Sequence, residues 1–169
     1  MRRGRVHMNI LVFNAGSSTL KFKVFDIESE KELIGGRYER IGIDGSVLKY
    51  TPQGGDKILV ESPMPNHEVA IKMVLEALVN EEYGVIKSLD EINAVGHRVV
   101  HGGEKFASSV VIDDEVMKAI EDCNDLAPLH NPANLIGINA CKALMKDVPM
   151  VAVFDTAFHQ TMPAEAYMY

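Results

Sequence analysis

The sequence predicts an α/β domain built on a mixed sheet, and three features of the chain carry that expectation. Between Asn9 and Glu61, β-branched and aromatic residues alternate with polar ones in short runs broken by glycine-rich turns, the pattern of consecutive strands. Beyond Pro63-Met64-Pro65 the apolar spacing becomes helical, and helical stretches then take turns with short apolar runs. Strands first, followed by helices and strands in alternation, is the order of an α/β domain with a mixed sheet.

Taken in order, strands are expected at 9–14, 20–27 and 32–39, with shorter ones near 46–50 and 56–61, together an antiparallel meander. Asn66 can cap a helix in which Val69, Ala70, Met73, Val74, Ala77 and Leu78 follow helical spacing, and the helix is expected to reach about Glu82. Ile92–Val100 reads as a strand entering the Gly102-Gly103 turn, and Val110-Val111-Ile112 as a short one. Asp113 begins a helix through about Cys123, with Val116, Ile120 and Cys123 on one face. Pro132 suits a first helical turn, so another helix is expected from there to about Met145, before a buried strand at Met150–Phe154 that ends at Asp155.

With 169 residues and 47% hydrophobic content, the chain is long enough for one well-packed domain. Its formal net charge of −7 argues against nucleic acid and anionic membranes as partners, since both call for a basic face. No run approaches the ~20 apolar residues of a membrane span. Cys123 and Cys141 lack CxxC spacing and lie on apolar helix faces, which suits packed, reduced thiols of a cytoplasmic protein better than zinc ligands or a redox pair. The basic stretch Met1–His7 precedes an apolar run too short for a signal segment, so residues 1–7 read as a leader or remnant and Met8 as the natural start. At the other end, Ala164–Tyr169 stays apolar and aromatic to the last position without a helix stop, and the domain is expected to be interrupted there.

The most chemically suggestive segment is Asn14-Ala15-Gly16-Ser17-Ser18-Thr19-Leu20-Lys21, a turn of small hydroxyl residues between two strands. Gly16 permits close backbone approach to an anion, the Ser17, Ser18 and Thr19 hydroxyls can donate hydrogen bonds, and Lys21 adds a point charge. The glycine spacing of a Walker A loop is absent, and the following residues alternate like a strand instead of opening a helix. An ordinary serine-rich hairpin is the plainer reading of this turn by itself.

Four further segments accompany it: Gly96-His97-Arg98-Val99-Val100-His101-Gly102-Gly103, Ala127-Pro128-Leu129-His130-Asn131-Pro132, Val153–Thr161, and Glu39-Arg40-Ile41-Gly42. Taken together, the five segments closely resemble the acetate kinase family, over essentially everything from Met8 to Tyr169. The resemblance implies ATP-dependent, reversible phosphorylation of acetate to acetyl phosphate and ADP, on the fold shared by sugar kinases, actin and Hsp70-type ATPases. It also implies that residues 8–169 form the N-terminal domain, truncated before a C-terminal domain that carries the adenosine pocket, a further histidine and arginine, and a glutamate near magnesium. The full-length enzyme is expected to be a homodimer.

Within the resemblance, Arg98, His130 and Asp155 correspond to catalytic residues; Asn14, Ser17, Ser18, Thr19 and Lys21 to the phosphate-binding turn; Arg98, Val100 and Leu129 to the substrate pocket; and Asn14 and Asp155 to the surroundings of Mg²⁺. The chemistry of each residue agrees. Arg98, at a strand end beside two glycines, suits a forked contact with a carboxylate or phosphoryl group, against the alternative of a surface salt bridge. His130, just before a helix, can donate to phosphoryl oxygens near a helix end that favours anions, or it can simply staple its loop. Asp155 can orient magnesium through water, or cap a helix; Asn14 can sit near the metal, or make a turn. Val100 and Leu129 are core residues on pattern alone. His97, His101 and His159 are read as structural. Thr19 stands where the family usually has a third serine and keeps the hydroxyl. Two alternatives stay open: a propionate or other short-chain acyl kinase, and an inactive fragment that only binds phosphate or carboxylate.

Overall fold

The computed structural model describes residues 8–103, 106 and 108–155. The basic lead-in at 1–7, His159 and the apolar chain end therefore lie outside the described residues. Five strands come first: β1 (Asn9–Ala15), β2 (Thr19–Asp26), β3 (Lys31–Glu39), β4 (Val47–Pro52) and β5 (Ile58–Glu61). Each pairs antiparallel with the next, which makes the expected meander. Helix α1 (His67–Leu78) then leads through a 3₁₀ turn at Leu89–Glu91 to β6 (Ile92–Val99), which lies parallel to β1 on its free edge. A short β7 (Val110–Val111), α2 (Asp114–Asp122) and α3 (Asn131–Leu144) lead to β8 (Met150–Phe154), parallel to β6, with β7 antiparallel on its outer side. The resulting mixed sheet runs β5-β4-β3-β2-β1-β6-β8-β7.

Strand periodicity sorts residues to two faces. One receives Leu11, Phe13, Ala15, Leu20, Phe22, Val24, Val95, Val99, Ala152 and Phe154, all buried in one continuous core with the apolar sides of the helices. Helix α3 packs on β1 and β6 and touches both α1 and α2, so it is the central member of this helical layer. The other face carries Val12, Asn14, Lys21, Arg98, Val153 and Asp155, none of them buried.

Helix starts follow the expected chemistry. Asn66 accepts from the Val69 amide at 2.9 Å and Asp113 from the Val116 amide at 2.8 Å, caps worth about 1 kcal/mol each. Helix α1 ends at Leu78, four residues before the position its apolar spacing suggests. Asn80 is the reason: its side-chain oxygen takes the Glu82 and Tyr83 amides, while the amides of Val85 and Ile86 turn back onto the Leu78 carbonyl. A short polar side chain here outcompetes the next helical turn. Cys123 and Cys141 are both buried, and burial pushes the Cys141 thiol up to about 12.

Candidate functional site

The two parallel pairings bring the carboxyl ends of β1, β6 and β8 side by side, with β2 returning alongside β1. In the β1–β2 register Asn14 faces Lys21 directly. Arg98 on β6 and Asp155 just past β8 project on the same face, opposite the helices α1–α3, because each is an even number of residues from its strand's other outward positions. The result is a row across four strands: Lys21, Asn14, Arg98, Asp155.

Arg98 is the centre of the row. Its Nε donates to Asp155 Oδ1 at 2.8 Å, its Nη2 to Asp155 Oδ2 at 2.7 Å, and its Nη1 to Asn14 Oδ1 at 3.3 Å. The bidentate bond to Asp155 raises the Arg98 pKa above its ordinary value, so the guanidinium is permanently charged. Of the five N–H groups of a guanidinium, these bonds occupy three. The remaining two have no partner among the described residues, and with half of the Arg98 side chain solvent-exposed they can meet a planar anion.

A cavity of about 310 Å³ opens at this row, lined by Asn14, Ala15, Gly16, Thr19, Lys21, Arg98, Val100, His130, Asn134 and Asp155. His130 occupies the N-cap position of α3 with its side chain free of any capping bond, and Val100 forms part of the wall. Three of the expected residues stand apart. Ser17 is exposed, Ser18 is half-buried, and neither side chain lines the cavity. Leu129 is 72% exposed and outside it as well, because the loop before α3 turns this side chain to solvent. A larger hollow of about 650 Å³ over the open face of β2–β4 shares Asn14 and Lys21. Its other cations are largely engaged, Lys23 with Glu32 at 2.7 Å and both Arg37 and Lys49 with Glu39, so the smaller cavity holds the convergent groups.

Three polar residues to which the motif analysis gave no role hold the backbone around the cavity, and one of them, Asn134, also lines it. Asn134 is 3% exposed and bridges two elements, donating to the Ala15 carbonyl at 2.9 Å and accepting from the Val100 amide at 3.2 Å. Asn131, fully buried, accepts from the His101 amide and donates to the His101 and Ile120 carbonyls. His67, at the start of α1, reaches the Gly16 carbonyl at 2.6 Å. The available signal was an asparagine pair three residues apart on an otherwise apolar helix face.

Glycine at 16 and 102 answers to crowding. A Cβ on Gly16 would stand 2.8 Å from Thr19 Oγ1, and one on Gly102 would overlap the Phe154 ring. At Gly16 the demand thus comes from the turn's own threonine.

The oxygen donors near Arg98 bear on magnesium. Asp155 and Asn14 are hard oxygen ligands set on one guanidinium, and among the described residues no cluster of three or more acidic, histidine or cysteine side chains could hold a metal by itself. That donor set fits magnesium arriving with phosphate and water, the way this ion is ordinarily held, and does not make a protein-only cage.

The acetokinase family model matches residues 9–169. An acetate kinase of Lachnoclostridium phytofermentans is 70% identical over 162 residues, covering 96% of this chain and 41% of that protein. The crystal structure of Porphyromonas gingivalis acetate kinase superposes with a TM-score of 0.89 at 48% identity, covering 96% of this chain and 41% of that one. A propionate kinase from Francisella tularensis gives a TM-score of 0.83 at 39% identity, covering 94% and 39%. The chain thus spans about 41% of the length of the relatives it matches. With a family match across nearly all of its residues and the same fold in solved members, the chain belongs to the acetokinase family.

Proposed function

We propose that this chain is the N-terminal domain, residues 8–169, of a cytoplasmic, homodimeric acetate kinase that transfers a phosphoryl group reversibly between ATP and acetate. The observation that carries the reading is the Lys21–Asn14–Arg98–Asp155 row opening on one cavity with His130. A carboxylate substrate has a pKa of about 4 and is already a nucleophile at neutral pH, so no general base is needed. Positioning and charge neutralisation are the remaining tasks, and the row supplies both.

In this reading the two uncommitted N–H groups of Arg98 hold the acetate carboxylate or the phosphoryl group in transit, while Asp155 fixes the guanidinium plane. His130 donates to equatorial phosphoryl oxygens at the start of α3, where the helix end favours negative charge. Lys21 and the Ser17, Ser18 and Thr19 hydroxyls receive phosphate oxygens from the turn side. Asn14 and Asp155 would hold Mg²⁺, which when bound would neutralise phosphate charge. Val100 limits the acyl pocket, and Leu129 joins that wall only when covered by further protein.

A propionate kinase is the second reading, favoured by the fold match to one such enzyme. One methylene changes discrimination by only about 1–3 kcal/mol, so competition between acetate and propionate separates the two. The test of the main reading is a hydroxamate assay for acetyl phosphate with ATP, Mg²⁺ and acetate. It is run on this chain alone and after adding the portion of the Lachnoclostridium phytofermentans enzyme that the chain does not cover. We expect no turnover alone and recovery on complementation. Turnover by this chain alone, or none in either case, would overturn the reading.

A further inference from the structure

The turn between β1 and β2 presents an anion with its amides only if its carbonyl oxygens point elsewhere, because a peptide turned over would aim an oxygen at the phosphate. Four of its carbonyls are held. Ala15 C=O accepts from Asn134 Nδ2 at 2.9 Å, Gly16 C=O from His67 Nε2 at 2.6 Å, Ser18 C=O from the Ile41 amide at 2.9 Å, and Thr19 C=O from the Gly16 amide at 2.8 Å. By contrast, the Ser17 and Ser18 amides have no hydrogen-bond partner among the described residues. The donors on Ala15 and Gly16 come from the helical layer, from α3 and the first residue of α1.

A carbonyl can only accept, so the short contact requires His67 to carry its proton on Nε2. The trans peptide places N–H opposite C=O, so holding the Gly16 oxygen toward α1 sends the Ser17 N–H the other way, out of the helical layer. A glycine at 16 makes this restraint necessary, since its peptide is the one in the turn least constrained by a side chain.

We propose that His67, with Asn134 beside it, is a positioning residue that locks the Gly16–Ser17 peptide in the orientation offering its N–H to a phosphate. This rests on the reading of the turn as a phosphate site. His67 touches no substrate; it excludes the turned-over peptide, whose carbonyl would repel the anion. Losing one such bond lets the repelling orientation be populated and weakens the anion affinity about tenfold.

The test uses the 169-residue chain and inorganic phosphate. Long-range ¹⁵N spectra of the ligand-free protein report the His67 tautomer, expected as Nε2–H. Phosphate is then titrated against the Ser17 and Ser18 amide signals in the wild type, His67→Gln and His67→Met. Gln can donate to the same carbonyl and is expected to stay within about threefold of the wild type, whereas Met loses the donor and is expected to fall about tenfold. The Nδ1–H tautomer, or equal affinities in folded His67→Met and wild type, would overturn the proposal. If His67→Met does not fold, the tautomer and the His67→Gln affinity decide. A wild type with the expected tautomer whose Ser17 and Ser18 amides ignore phosphate would overturn the phosphate-site reading itself, and the lock would stand as a structural bond only.

Discussion

Arg98 gathers the chemistry of the site by geometry more than by charge. A lysine could pair with Asp155, but it could not grip both carboxylate oxygens, reach Asn14 and still present a flat edge to a ligand. In the complemented enzyme, Arg98→Lys is therefore expected to lower kcat/KM for acetate about 100-fold while changing ATP affinity little. Steady-state kinetics with acetate varied at saturating ATP measure it, and near-normal acetate kinetics would remove Arg98 from the substrate contact. Asp155→Asn keeps the shape but loses the charge, so the Mg²⁺ concentration for half-maximal rate is expected to rise. A magnesium dependence unchanged by that substitution would assign Asp155 to holding Arg98 alone.

Among the elements, α3 has the widest reach: its first turn ties the loop after β6 and the end of β1 into one wall. Asn131 makes three bonds there without any exposure to water. Asn131→Leu fills the volume and abandons the half-buried His101 amide and carbonyl together with the buried Ile120 carbonyl. The expected cost is about 2–4 kcal/mol, read as a lower urea midpoint. A loss below about 0.5 kcal/mol would mean that the loop rearranges to satisfy itself. The same helix is why His130 and Arg98 share a cavity although they lie on different elements.

For the whole molecule, the pH dependence of stability has an identifiable contributor in His97. The ring lies on the helix-side face of β6, stacked on Phe13 at 6.0 Å, and its Nε2 has no partner among the described residues. Burial lowers its pKa from 6.5 to about 4. Between those values the unfolded chain binds a proton that the folded chain refuses. The contribution is therefore fully favourable above pH 6.5, declines as pH falls, and is gone near pH 4, a change of about 3 kcal/mol. Urea melts of the wild type and His97→Leu across this window check it, with the variant expected to show the flatter profile. Parallel profiles would mean that the ring protonates while folded.

What the residues determined by themselves is local. Alternation, capping asparagine and aspartate, and the glycine-broken turns define the meander, the helix starts and the hairpin that sets Asn14 opposite Lys21, because each depends on neighbours within a few positions. The five motif segments identified the family, and they placed Arg98, His130 and Asp155 at element ends before any fold was known. Tertiary structure decided the rest. Arg98 meets Asn14 across 84 residues and Asp155 across 57, and only the parallel pairing of β1, β6 and β8 brings them together. The end of α1 turned on hydrogen bonds that Asn80 makes beyond the helix, and the exposure of Leu129 on the path of a loop. The backbone contacts of His67, Asn131 and Asn134 belong to the same class, for a buried polar side chain takes its role from whichever unpaired backbone group the fold sets against it.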